Sequence, residues 1–256
     1  MTVVAVCQGA GTSAATTTAV LLAATLPRPH PAFVVECDPS GGDLAAWAQL
    51  PSAPGWATAV AGADRSWSAV VDSSQALPSG LRVVTCPARP SQARTAVIES
   101  AAGFAGLLAR MDDVVAVADC GRVELEPPAW TRSAQLTLLI LRQATVSAQA
   151  TVARADRTIE ALEVLRSACA QVGVVLIGGS PYPTKEVASA LGVELFGVLP
   201  EDTGGAGLVC GGWTLGKRAA RSPLAKAAAL LGQRIVETIY GREGSTERRL
   251  VAGVPS

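Results

Sequence analysis

Histidine is nearly absent from the 256-residue sequence: the only one, His30, sits in the proline-rich run Pro27-Arg28-Pro29-His30-Pro31. That excludes a multi-histidine metal site and leaves a Ser-His-Asp triad without a well-placed base. Aromatic residues are scarce at 4%, so any core must be built from Ala, Val and Leu. Charged residues make up only 16% against 49% hydrophobic, a balance that excludes a disordered chain. The formal net charge is zero, which gives no strong nucleic-acid signal. The six cysteines, at 7, 37, 86, 120, 169 and 210, form no CxxC pair and sit in or beside apolar runs. They read as buried reduced thiols, not as zinc ligands or disulfides. No apolar run reaches the ~18 residues of a transmembrane segment. Met1–Val6 lacks the basic start of a signal peptide, so a cytoplasmic protein is expected, at most peripheral to a membrane machine.

What is present is an alternation. Short β-branched runs at Val3–Cys7, Phe33–Cys37, Leu81–Cys86, Val114–Ala118, Leu136–Leu141, Val172–Ile177 and Val193–Leu199 read as strands. Ala/Leu-rich stretches between them, among them Thr16–Leu26, Ser91–Met111, Ser147–Gln171, Thr184–Leu191 and Pro223–Tyr240, read as helices. Strands apolar on both faces that alternate with helices predict a three-layer α/β domain. Its sheet is doubly wound and mostly parallel, with about seven to eight strands. One domain is expected over 1–240, followed by a flexible tail over 241–256. Pro51–Pro78, which holds Trp56 and Trp67, reads as a surface excursion with one or two short helices.

The chemistry-bearing segment is Cys7-Gln8-Gly9-Ala10-Gly11-Thr12-Ser13-Ala14-Ala15-Thr16-Thr17-Thr18. It leaves a strand and opens a helix, and its small residues let backbone amides approach an anion at the positive end of that helix. Two nucleotide motifs compete for it. One is GxGxxA on Gly9, Gly11 and Ala14, with Glu36 as the ribose-binding acid of an NAD(P)-binding Rossmann unit. The other is a deviant Walker A loop.

On the second alignment the chain resembles the MinD/ParA family of P-loop ATPases, whose loop reads K-G-G-x-G-K-[ST]-T. Gly11, Thr16 and Thr17 match; Ala10 stands at the signature lysine and Ala15 at the P-loop lysine. The segment around Asp38-Pro39-Ser40-Gly41-Gly42 resembles the family's switch I. Val115–Gly121 resembles the Walker B strand and switch II, with Asp119 in the magnesium-associated position. Gly197–Asp202 resembles the purine-side loop, which places Pro200 beside a base. A similar loop, K-G-S-P-G-V-T-T, marks actinobacterial MinD-like proteins, and the TadZ/CpaE group of relatives positions pilus machinery.

The resemblance implies a P-loop NTPase-like fold with Gly9, Gly11, Thr12, Ser13, Ala14, Ala15, Thr16, Thr17, Asp38 and Pro200 around a nucleotide. Thr16, Asp38 and Asp119 would hold magnesium if Mg-nucleotide binds. It also implies protein partners and a homodimer through the P-loop face. The two alanines change the chemistry, because phosphoryl transfer depends on positioned positive charge. They imply a pseudo-ATPase with no catalytic residue, no certain cofactor and at most weak binding of ATP or ADP with Mg, acting as a positioning or assembly scaffold. An active ATPase with a substitute cation, Arg122, Arg142 or Arg218, is the alternative. Plainer readings compete: Asp38 and Asp119 as loop caps, Thr16-Thr17-Thr18 as a helix N-cap, the terminal helix as core-facing, Lys217–Arg221 as a solvated loop and Trp213 as packing under glycines.

Overall fold

Val3, Ala5 and Cys7 face one apolar layer while Val4 and Val6 face the other, so the first strand is buried on both sides. This is the pattern of a parallel strand covered by helices above and below. The computed structural model describes residues 2–27, 32–111, 114–143, 147–210 and 221–251. His30, Trp213 and the Lys217–Ala220 part of the basic cluster, with Arg218, lie outside the described residues.

The strands are β1 (Thr2–Gln8), β2 (Ala32–Glu36), β3 (Gln75–Ala76), β4 (Arg82–Val84), β5 (Val115–Arg122), β6 (Leu136–Arg142), β7 (Val172–Ile177) and β8 (Leu195–Leu199). They form one eight-stranded sheet in the order β3-β4-β2-β5-β1-β6-β7-β8. Every pairing is parallel except the short β3–β4 edge, which is antiparallel. The doubly wound, mostly parallel sheet expected from the alternation is therefore present. β1 lies at its centre between β5 and β6, and the chain leaves β1 at the carboxyl edge, where ligand crevices of such sheets form.

The helices are α1 (Ala15–Thr25), α2 (Leu44–Trp47), α3 (Trp56–Ala61), α4 (Trp67–Asp72), α5 (Pro90–Ser100), α6 (Gly106–Leu108), α7 (Ala148–Arg166), α8 (Thr184–Ala190), α9 (Thr203–Cys210) and α10 (Pro223–Val251). A π-helical turn, Ala101–Ala105, joins α5 to α6, and a 3-10 turn spans Ala129–Ser133. One core layer gathers Leu21, Leu22, Leu224, Leu231 and Ile235 from α1 and α10 over one face of the sheet. Ile235 is buried, so the terminal helix is core-facing over this stretch. The opposite layer draws on α3, α5 and α7.

Pro51–Pro78 departs from expectation. It carries two short helices, but Trp56 is fully buried and packs in the core with Phe104 and Trp130. Arg65 holds the end of α3 in place, its guanidinium donating to the carbonyls of Ala59 and Val60 while lying over the Phe104 ring. The segment is thus a wall of the core. Cys7, Cys37, Cys86 and Cys120 are buried free thiols, and Cys169 is a half-buried one.

Candidate functional site

The loop between β1 and α1 lies over the carboxyl end of the sheet. Gly9 donates its amide to the Ile140 carbonyl of β6, which anchors the start of the loop. Gly11 has φ +74°, a left-handed conformation that favours glycine. The Arg154 side chain of α7 packs there, with Nε 2.8 Å from where a Cβ would stand. Thr12 is buried, and its Oγ1 accepts the Arg142 amide at 3.0 Å. Ser13 is exposed, while Ala14 and Ala15 are buried.

α1 begins at Ala15, with Ala14 in the capping position. Alanine has no acceptor, and the first amides of a helix need one. Gln8, the last residue of β1, supplies it: its Oε1 accepts from Ala14 N at 2.9 Å and from Ala15 N at 3.1 Å. The reading of Thr16-Thr17-Thr18 as the N-cap is therefore corrected, because these threonines lie inside the helix. Gln8 went unnoticed in the sequence. The available signal was a long polar side chain ending an otherwise apolar strand.

The acidic residues converge one layer away. Asp119 lies within β5, three residues before its end, and is 1% exposed. Burial raises its carboxyl from 3.8 to about 7; the Thr16 hydroxyl and the Gly121 amide, which donate to it, oppose the rise, and the neighbouring Glu36 and Asp38 add to it. Asp38 lies directly over Gly121, which has φ +65° and where a Cβ would collide with the carboxylate. Asp38 Oδ1 also accepts the Ser40 amide at 2.7 Å, so a loop-capping role is realised. Thr16 thus bonds to Asp119, and Asp38 lies close enough to act on the same carboxyl.

Glu36 has a different task from ribose binding. It is 1% exposed, its Oε1 accepts Asp43 N at 2.6 Å and Leu44 N at 2.9 Å, and its Oε2 accepts Cys86 N at 2.9 Å. Burial raises its carboxyl above the ordinary value, against the lowering effect of these amides. It clips the loop after β2 to the end of β4 and has no edge left for a sugar. Replacing it with alanine strands the buried Leu44 and Cys86 amides; the expected cost is roughly 2–3 kcal/mol in urea unfolding, with Glu36→Gln losing less.

On the other side of the loop, Ser13, Ala14, Thr17, Arg142, Pro200 and Asp202 line a cleft of about 110 Å³. Pro200 shares this cleft with the loop residues. The cleft is small beside the roughly 300–1,000 Å³ of typical ligand pockets. Arg142 forms a half-exposed ion pair with Glu201 at 3.8 Å. Arg122 is exposed and faces a separate groove with Pro39, Ser40 and Arg132. Besides Arg142, Arg154 reaches the loop; it was invisible in the sequence because only the fold brings α7 to Gly11, and its Nη1 donates to the Arg142 carbonyl at 3.2 Å.

These residues do not fit a Mg-nucleotide as placed. A carboxamide oxygen takes two of the amides a phosphate would use, and Ala15 is buried without an ammonium to offer. No group of three or more His, Cys, Asp or Glu side chains among the described residues is arranged to hold a metal.

The sheet order, with the loop at the carboxyl end of its central strand, is a fold shared with solved MinD and ParA-family ATPases. The similar solved structures carry the same assignment. A ParA family ATPase from Chlorobium tepidum superimposes with a TM-score of 0.70 at 16% identity, covering 91% of this chain and 97% of that one. The cell division ATPase MinD of Pyrococcus furiosus gives 0.68 at 18% identity, covering 93% and 99%. MinD of Pyrococcus horikoshii, solved with Mg-ADP, gives 0.66 at 15% identity, covering 91% and 95%. No family model and no curated protein matches the chain. No helix among the described residues is long and apolar enough to cross a membrane.

Proposed function

We propose that this chain is a non-hydrolysing relative of the MinD/ParA ATPases, acting in the cytoplasm as a positioning or assembly scaffold for a pilus, secretion or conjugation machine. The carrying observation is the pair of alanines, Ala10 and Ala15, at the two lysine positions of a loop in which Gly11, Thr16 and Thr17 match the family's pattern. A positioned cation supplies a large part of phosphoryl-transfer catalysis, on the order of 10³–10⁵ in rate for a donated arginine. A loop that lacks both lysines keeps its shape and loses that contribution. The degenerate loop agrees with the actinobacterial, TadZ/CpaE-like branch of the resemblance.

Protein contacts then carry the activity. Among proteins of this fold, MinD of Aquifex aeolicus has been solved in complex with MinC. For the present chain we take residues 1–240 as the working domain and 241–256 as a tail, with a homodimer formed through the P-loop face. Any residual affinity for ATP or ADP with Mg would rest on Thr16, Asp38 and Asp119.

A second reading has one observation in its favour. The Arg154 guanidinium against Gly11 is a cation at the loop, as an ATPase with a substitute charge requires. Its bond to the Arg142 carbonyl gives it a structural occupation instead. ATP turnover by purified protein separates the two. The scaffold reading expects no turnover above background, unchanged in Asp119→Ala and Arg154→Ala. Turnover that either substitution abolishes overturns it.

A further inference from the structure

We propose that the Gln8 carboxamide is a built-in occupant of the phosphate cradle, keeping the P-loop closed and shaped without a nucleotide. The inference rests on the non-hydrolysing reading above and gives it a mechanism of regulation: the loop's shape is set from within the chain. In this fold the first amides of α1 are the donors that face a bound anion, and they lie at the positive end of the helix. Here the same donors at Ala14 and Ala15 converge on one oxygen, Gln8 Oε1. A carboxamide oxygen is an acceptor with partial negative charge, so it satisfies the donors without importing a full charge.

Two hydroxyls of the loop are also engaged. Thr12 Oγ1 is taken by the Arg142 amide, and the Thr16 hydroxyl is engaged by Asp119. A diphosphate entering the cradle must therefore break two hydrogen bonds of Gln8. In a loop with its lysine, the ammonium would offset that loss; the buried Ala15 methyl does not. Gln8 and Ala15 act together, one filling the site and the other withholding the charge that would empty it.

The test uses the full chain with inorganic pyrophosphate and Mg-ADP as probes, comparing wild type, Gln8→Ala and Gln8→Glu by calorimetry. Gln8→Glu retains an acceptor at the same reach and adds negative charge, so it is expected to bind neither probe, like wild type. Gln8→Ala is expected to bind pyrophosphate at least about tenfold more tightly than wild type, the scale of two net hydrogen bonds. The backbone amide resonances of Ala14 and Ala15 should shift in Gln8→Ala and shift again with pyrophosphate. Equal pyrophosphate affinity in folded Gln8→Ala and wild type overturns the proposal. Should Gln8→Ala fail to fold, hydrogen exchange in the wild type decides. Protected amides at Ala14 and Ala15 support the internal bond, and unprotected ones overturn it. The failure modes are separable: turnover by the wild type defeats the non-hydrolysing reading, whereas equal pyrophosphate affinities defeat only the role of Gln8.

Discussion

Raising the pH from about 4 to about 7 should lower the stability of the protein by up to roughly 4 kcal/mol, and Asp119→Asn should remove most of that loss. The cause is the Asp119 carboxyl, 1% exposed and raised from 3.8 to about 7 by burial. Its folded pKa exceeds its unfolded value, so the folded state binds a proton that the unfolded state releases. Stability from this group is complete below about pH 4, declines as the pH rises toward the folded value near 7, and is flat above it. Glu36 and Asp38 face the same carboxyl and add to its rise, and Glu36, itself shifted upward by burial, bends the curve in the same direction. Asp119→Asn keeps an acceptor for the Thr16 hydroxyl and carries no charge. It should therefore be the more stable protein at pH 8, with a flatter profile between pH 4 and 7. Urea unfolding across that range is the measurement, and a wild-type stability that climbs through it would contradict the assignment.

Trp130→Ala should cost about 3–5 kcal/mol, the usual range for emptying a buried aromatic site. Trp130 is fully buried, its ring centroid lies 5.3 Å from that of Trp56, and Trp56 in turn lies 5.5 Å from Phe104. Its indole Nε1 donates to Ser100 Oγ at 3.2 Å, so truncation removes a buried hydrogen bond as well, although the Ser100 hydroxyl keeps its own bond to the Val97 carbonyl. The three rings come from α3, the π-helical turn and the 3-10 turn, which makes this cluster the joint between the Pro51–Pro78 segment and the sheet. A chain this size should lose about 10 °C in melting temperature. Trp130→Phe keeps most of the volume and should lose about a third of that.

The alternation of apolar strands and helices made the sheet legible, because a parallel strand buried on both faces leaves a continuous apolar run. Asp38 and Asp119 were legible too, since each follows such a run and is held at the same sheet edge. Trp56 was not: its surroundings are Ala, Ser and Gly without periodicity, so nothing local marks a buried face. Glu36 was legible as a strand-end acid, but its occupation was not. Whether a carboxylate meets a ribose or backbone amides depends on how the loop after β2 and the end of β4 fold around it. Gln8 and Arg154 were missed for a related reason. The first folds back over its own loop and the second arrives from a helix distant in sequence, and neither contact leaves a spacing to read.

A thermal-shift titration of the wild-type protein with millimolar ATP, ADP, GTP and NAD, magnesium present, tests most directly whether the cradle is filled from within. A ligand that binds only the folded state at a hundred times its dissociation constant adds about 2.7 kcal/mol, several degrees for a chain of this size. The expected result is no rise with any of the four. A magnesium-dependent rise of several degrees with ATP, with Gln8 intact, would contradict the account.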